Sequence, residues 1–205
     1  MDFDRVAAYD PIVVEDEQRE AAVIAPVVTR PEGPAILFTK RADHLTDHPG
    51  QMSFPGGGRE PEDDDLLATA IREANEEIGL DPMAVNVVGR LDDIRTVTHY
   101  SVRPFVARIP DREYLPNDEE VAEVVTLSVA DLTDPDNYES EQRDHPYYGE
   151  IRLHFFYVDG YTVWGATARM LVQLLELATD WRMPPEPDRY AGPDDDLPPS
   201  VRDQV

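Results

Sequence analysis

The apolar residues of the chain fall into runs whose spacing changes along its length. Residues 1–20 are charged and show no period, so they read as an N-terminal arm or a short first helix. AAVIAPVVT (21–29) and AILFTKR (35–41) are dense in apolar residues, and RPEGP between them suits a turn, so the pair predicts an antiparallel hairpin. A loop follows over 42–62, punctuated by Pro49, Gly50, Pro55 and the run Gly56, Gly57, Gly58, with one short strand at 51–54. From Asp63 to Leu80 the period changes. Leu67, Ala70, Ile71, Ala74 and Ile78 recur at three- and four-residue steps, which is one face of an α-helix. Asp63, Asp64 and Asp65 are its N-cap candidates, and Gly79 stands where a stop is expected.

Further strands are predicted over 84–94, 96–109, 121–129 and 151–160, and a largely apolar helix over 164–180 that needs cover on most sides. After Arg182 the composition changes: six prolines and six acids share 23 residues, so 183–205 reads as an acidic, proline-rich tail with little to bury and no fixed structure. No internal repeat is present. This order of strands and helices predicts one α/β domain over 21–182, flanked by the arm and the tail.

Charge narrows the range of partners. Lys and Arg number 18 against 43 Asp and Glu, a formal net charge of −25, and Lys40 is the single lysine. Such a field repels nucleic acid and anionic membranes and leaves small molecules as partners; oligomeric state is not legible. The bland reading is a soluble acidic protein. The sharper one is halophilic adaptation, since few lysines beside abundant acids resemble proteins of salt-accumulating organisms, and about 1 M salt screens self-repulsion beyond about 3 Å. The absence of cysteine excludes disulfides, thiolate metal sites and a cysteine nucleophile. MDFDRVAAYD has no secretory character and no apolar run reaches membrane-spanning length, so a cytoplasmic protein is expected.

On a helical wheel Glu73, Glu76 and Glu77 lie within about a 100° arc opposite the apolar face. A solvated acidic face is the ordinary meaning of such residues. Two details oppose it here: Glu73 and Glu77 are like charges at i, i+4, and Glu76 and Glu77 occupy the last turn, where the helix dipole disfavours anions. A divalent cation reverses both penalties. Hard cations take carboxylate oxygens and leave positions for a phosphate and a nucleophile.

These residues resemble the Nudix box, G-x5-E-x7-R-E-U-x-E-E-x-G-U with U apolar. Here it reads Gly58, five residues, Asp64, seven residues, then Arg72-Glu73-Ala74-Asn75-Glu76-Glu77-Ile78-Gly79-Leu80, nine defined positions in fixed register. Asp64 replaces the usual Glu, and Ala74 is a small occupant of an apolar position. The resemblance implies an α/β/α sandwich with a mixed sheet, a pyrophosphohydrolase activity, and Mg2+ or Mn2+ as cofactor. It implies that Glu73 and Glu77 bind metal, that Glu76 is a further ligand or the base, that the Gly58 carbonyl is another ligand, and that Asp64 pairs with Arg72. Which acid is the base varies within the family. Among Glu119, Glu120, Glu123, Asp92 and Asp93, Glu120 is the choice to complete a second metal site.

Upstream, FTKRADHLTDHPGQMSFPGG resembles the signature of the coenzyme A pyrophosphatase branch. Thr39, Arg41, Ala42, Gly50, Phe54, Pro55, Gly56 and Gly57 fall on it in register, while Thr46 stands where the pattern has arginine. WGATARMLVQLL resembles the last helix of that branch. The implied reaction is hydrolysis of the coenzyme A pyrophosphate to 3′,5′-ADP and 4′-phosphopantetheine. Lys40, Arg41 or His48 then meet phosphate, Phe54 lines a groove, and Gly56 and Gly57 approach the substrate. The alternatives are a Nudix enzyme for another nucleoside diphosphate derivative such as ADP-ribose, a non-catalytic Nudix binding module, and a protein that merely buffers cations.

Overall fold

A computed structural model of the chain describes residues 1–45, 48–96, 99–117, 119–145, 149–192 and 195–202. The departure Thr46 lies outside the described residues. In chain order the elements are α1 (Phe3–Ala7), β1 (Arg19–Arg30), β2 (Gly33–Arg41), β3 (Met52–Ser53), β4 (Gly56–Gly58), α2 (Leu66–Ile78), β5 (Asn86–Arg90), β6 (Ile94–Arg95), β7 (Tyr100–Ile109) and β8 (Val121–Ser128). There follow α3 (Val129–Leu132), β9 (Tyr138–His145), β10 (Gly149–Val158), β11 (Tyr161–Trp164), α4 (Gly165–Ala178), β12 (Arg189–Ala191) and α5 (Pro199–Arg202).

β1 and β2 form the expected antiparallel hairpin, with Val27 opposite Ile36 and Arg30 opposite Gly33. Among the described residues they centre an eight-stranded sheet along the path β3-β2-β1-β7-β5, with β4 and β6 added beside β1 and β7, and β8 beside β2. β1 and β7 run parallel from Arg19 opposite Tyr100 to Val28 opposite Ile109, which makes the sheet mixed.

β1 is apolar on both faces because both are covered. Ala22, Ile24 and Val28 pack with Ala70, Ala74 and Ile78 of α2. Val23, Ala25 and Val27 face the other way, into a cluster with Leu171, Leu174 and Leu175 of α4 and Phe156 of β10. A mixed sheet covered on one face by α2 and on the other by α4 therefore agrees with the expected α/β/α layering. Among the described residues no helix is long and apolar enough to cross a membrane.

Three elements differ from the sequence reading. The glycine run 56–58 is a strand, paired with β1 through Gly58 opposite Ala21 and Gly56 opposite Val23. A second sheet, β11-β10-β9-β12, accompanies the first. Its β9, YESEQRDH, has no apolar period because its buried positions include Ser140 and Glu141.

The tail also departs from the expectation of no fixed structure. Arg189 pairs with Glu141 at 2.6 Å, Ser140 N–H donates to Asp188 at 2.7 Å, and Arg152 donates to the carbonyls of Pro185 and Glu186 at 3.3 and 2.7 Å. Val201 is fully buried in a cluster with Phe155 and Trp164. The anchors sit on β9 and β10, so the tail's own composition does not reveal them.

At the other end, Asp2 caps α1 and Val6 is buried. The arm after α1 is held by Asp92, which accepts from the Tyr9 hydroxyl at 3.0 Å and the Ile12 N–H at 2.8 Å, and by Asp93, which accepts from the Val14 N–H at 3.1 Å. Asp93 also makes a two-point ion pair with Arg103 at 3.0 and 2.8 Å. These two acids, spare metal ligands in the sequence reading, are committed to holding the arm.

Candidate active site

Of the three aspartates that were N-cap candidates, the last begins the helix that carries the acids. Asp65 is the cap, its carboxylate accepting the Ala68 N–H at 2.8 Å, and Leu66 is the first helical residue. Gly79 ends the helix in the left-handed region at φ 65°, where its N–H returns to the carbonyls of Ala74 and Asn75. Gly79 thus has the structural role expected of it.

Arg72 is the hub of the loop before the helix. Its Nε and Nη2 bind Asp63 at 3.0 and 3.1 Å, Nη2 also donates to the Gly58 carbonyl at 3.1 Å, and Nη1 reaches Glu73 at 3.1 Å and Glu76 at 3.3 Å. The pairing of Asp64 with Arg72 is therefore corrected by one residue: Asp64 is exposed, and Asp63 takes the arginine. Asp63 also accepts from the Glu60 N–H and the Thr69 hydroxyl, both at 2.9 Å. The Arg72 hydrogen bonds, followed by that from Glu60, hold the Asp63 carboxyl well below the usual range. The signal in the sequence was present, three consecutive aspartates at the acidic position of the box, but spacing alone does not choose among them.

Glu77 is turned inward and is 8% exposed. Burial pushes its carboxyl up to about 8, against the Gly56 N–H that donates to it at 3.1 Å; Glu73 and Glu120 push it further up, and Arg41 pulls it down. Glu73 is raised mainly by burial, with Arg72 opposing and Glu76 and Glu120 adding to the rise. The structure thus brings Glu73, Glu77, Glu120 and Arg41 into one electrostatic neighbourhood. Glu76 stands on its rim with a side chain 57% exposed.

Two of the three β4 positions, Gly56 and Gly57, have no room for a side chain in this packing. A Cβ on Gly57 would sit 2.6 Å from the Glu73 carboxyl carbon, and one on Gly56, at φ 150°, would sit 2.3 Å from the Ala22 carbonyl oxygen. Gly56 and Gly57 were read as substrate contacts. Their first duty is to let β4 lie on α2 and β1 closely enough for the Gly56 N–H to reach Glu77.

Among the described residues no three acids or histidines stand in ready ligating geometry. Arg72 instead spans the Gly58 carbonyl, Glu73 and Glu76. The donor chemistry nevertheless fits a hard cation: carboxylates and a carbonyl, with Glu77 buried, Glu73 partly buried, and both raised chiefly by that burial.

The upstream candidates divide between the two faces of β2. Arg41 lies near enough to Glu77 to lower its pKa, whereas the Lys40 side chain runs beside Gly50, with Cε 3.8 Å from a Cβ built there. His48 is exposed, at φ 54°. Phe54 is corrected: it is 2% exposed and stacks on Phe38 with ring centroids 5.1 Å apart, so it belongs to the core. Tyr100 was not singled out by any motif, yet a Cβ built on Gly58 meets its ring at 3.9 Å.

Comparison with known proteins agrees with this geometry. The NUDIX domain model matches residues 18–148. The chain is 38% identical over 161 residues to the uncharacterized Nudix hydrolase NudL of Enterobacter sp. (strain 638), covering 77% of this chain and 81% of that protein. It is 35% identical over 164 residues to NudL of Yersinia pestis (strain Pestoides F), covering 77% and 79%. Among solved structures, the Nudix hydrolase RenU of M. smegmatis is 23% identical with a TM-score of 0.47, covering 56% of this chain and 74% of that one. With the box's Arg72, Glu73, Glu76 and Glu77 gathered at the end of α2 beneath its glycines, and with that extent of match, the chain belongs to the Nudix family of pyrophosphohydrolases.

Proposed function

We propose that the chain hydrolyses the pyrophosphate bond of coenzyme A or its derivatives, releasing 3′,5′-ADP and 4′-phosphopantetheine. The observation that carries this reading is the placement of Thr39 to Gly57, the segment resembling the coenzyme A branch. It contributes to β2, β3 and β4, brings Arg41 near enough to Glu77 to lower its pKa, and ends on the glycines that lie against Glu73 and Ala22. A substrate contact on this segment is thus adjacent to the acids of α2.

Glu73, Glu76, Glu77 and the Gly58 carbonyl are the groups to hold Mg2+ or Mn2+, with Glu120 completing the cluster. A bound divalent cation supplies charge neutralisation at the phosphoryl oxygens and a lowered pKa for water. The remaining work falls to the chain. Arg72 ties Gly58 to Asp63 and so fixes the carbonyl relative to the helix. Glu76, whose side chain faces solvent, would serve as a further ligand or as the base that takes a proton from the attacking water, while Glu77, held by the Gly56 N–H, is the fixed end of the acidic cluster. Arg41, Lys40 and His48 supply positive charge for the phosphates. The net charge of −25 with one lysine supports an enzyme that works in the cytoplasm at high internal salt.

Values of kcat/KM measured side by side on coenzyme A, 3′-dephospho-coenzyme A and ADP-ribose test the substrate. Coenzyme A is expected to lead, ahead of its dephosphorylated form by roughly 1–3 kcal/mol, the range for a charge-assisted hydrogen bond. ADP-ribose as the preferred substrate would contradict the reading and leave only the family activity.

A further inference from the structure

Arg19 and Tyr100 begin adjacent parallel strands and stand opposite each other in register. Both share the sheet face turned away from α2: along β1 Arg19 is in step with Val23 and Ala25 on the α4 side, and along β7 Tyr100 is in step with Val102 and Val106. The Arg19 guanidinium lies over the Tyr100 ring, 4.1 Å from its centroid, and donates to the hydroxyl at 3.3 Å. The edge of the ring reaches toward Gly58. A side chain there would begin 3.9 Å from Tyr100 Cε1 and 4.0 Å from its hydroxyl, and glycine leaves that space open. A flat cation–aromatic layer therefore adjoins Gly58, the residue at which the acidic loop begins. Lys40 faces the same side of the sheet from β2, in step with Ile36 and Phe38.

We propose that the Arg19–Tyr100 layer is the platform on which the base of a nucleoside diphosphate substrate stacks, with the scissile anhydride over Gly58 and the other half of the substrate toward Lys40. This rests on the reading above only in taking a nucleoside diphosphate derivative as substrate. A guanidinium is planar and weakly hydrated, and it stacks on aromatic faces while its edge still donates to phosphate. A base added to the layer gains stacking without needing a new pocket. An anhydride beside Gly58 brings its negative charge near Arg19, in a protein whose overall field repels it.

Calorimetric titration of the full chain with ADP, and separately with inorganic pyrophosphate, tests the platform in the wild type and in Tyr100→Ala, Tyr100→Phe, Arg19→Ala and Arg19→Lys. Thermal midpoints are recorded alongside to verify folding. Tyr100→Ala, Arg19→Ala and Arg19→Lys are each expected to weaken ADP binding roughly tenfold, the lower end of what one stacked base contributes. Tyr100→Phe should keep it within about twofold, since the ring and not the hydroxyl carries the contact. Pyrophosphate affinity should be the same in Tyr100→Ala as in the wild type. Unchanged ADP affinity in Tyr100→Ala, full affinity in Arg19→Lys, an equal loss of pyrophosphate binding in Tyr100→Ala, or no ADP binding by the wild type would each overturn the platform. If ADP binds in the expected pattern and coenzyme A is left uncleaved, the coenzyme A reading fails and the platform stands.

Discussion

Replacing Asp63 with Asn separates the register seen in the structure from the one the box pattern implies. Asp63 is 5% exposed in its side chain and Arg72 23%, and the two meet in a two-point ion pair. Breaking a buried pair by removing one charge costs about 3–5 kcal/mol when the other is left alone. Arg72 is not left alone: it keeps Glu73 at 3.1 Å, Glu76 at 3.3 Å and the Gly58 carbonyl at 3.1 Å. We therefore expect a loss of about 2–3 kcal/mol, or roughly 5–10 °C in Tm for a chain of this size. Asp64→Asn, at an exposed position, should stay within about 0.5 kcal/mol of the wild type. Urea unfolding of the two variants, with thermal scans as a check, gives both values. A larger loss in Asp64→Asn than in Asp63→Asn would refute the assignment and restore the spacing of the box.

Three further outcomes follow from the packing and the charge. Ending the chain after Arg182 removes the Glu141–Arg189 pair, the Arg152 contacts and buried Val201, and should lower Tm by several degrees; an unchanged scan would show that the tail from 183 onward contributes nothing. His154, whose Nδ1 meets the Tyr138 hydroxyl at 2.8 Å, is held neutral by burial first and then by Arg152 and Arg169, its pKa lowered to about 4. The unfolded chain takes up that proton near 6.5, so this stability is full above about 6.5 and falls by on the order of 3 kcal/mol as pH drops to about 4. The difference between the pH–stability profiles of wild type and His154→Phe should display that step, and parallel profiles would remove His154 as its source. Stability should also rise as KCl approaches molar concentration, because screening relieves a net charge of −25; maximum stability in dilute buffer would dismiss the halophilic reading.

What the sequence made legible follows from where its signals are local. The β1–β2 hairpin and α2 could be read because their apolar faces repeat at the periods of strand and helix, and because Gly79 has one backbone use at the end of a helix. Glu73, Glu76, Glu77 and Arg72 came with α2. The parts that escaped are held by partners distant in sequence. β9 buries Glu141 only because Arg143 and Arg189 neutralise it, the latter reaching in from 48 residues downstream, so no hydrophobic period marks the strand. Tail and arm are likewise fixed by groups elsewhere, Arg152 and Ser140 for one, Asp92 and Asp93 for the other. Phe54 looked like a groove residue because it falls on the branch signature next to the box, and only its stacking on Phe38 reveals a core role. The choice of Asp63 over Asp64 is a matter of which carboxylate the turn aims at Arg72, a question of backbone direction that spacing does not contain.

The account rests on α2 acting on the pyrophosphate of coenzyme A, and product analysis with wild type and Glu77→Gln tests it most directly. Coenzyme A is incubated with each protein in Mg2+ or Mn2+ and the mixtures are resolved by chromatography. Wild type should yield 3′,5′-ADP and 4′-phosphopantetheine in equal amounts. Glu77→Gln, which removes a buried carboxyl group and keeps the shape of the side chain, should remain folded and turn over on the order of a thousandfold more slowly. Intact coenzyme A with the wild type, or undiminished turnover by the Glu77 variant, would contradict it.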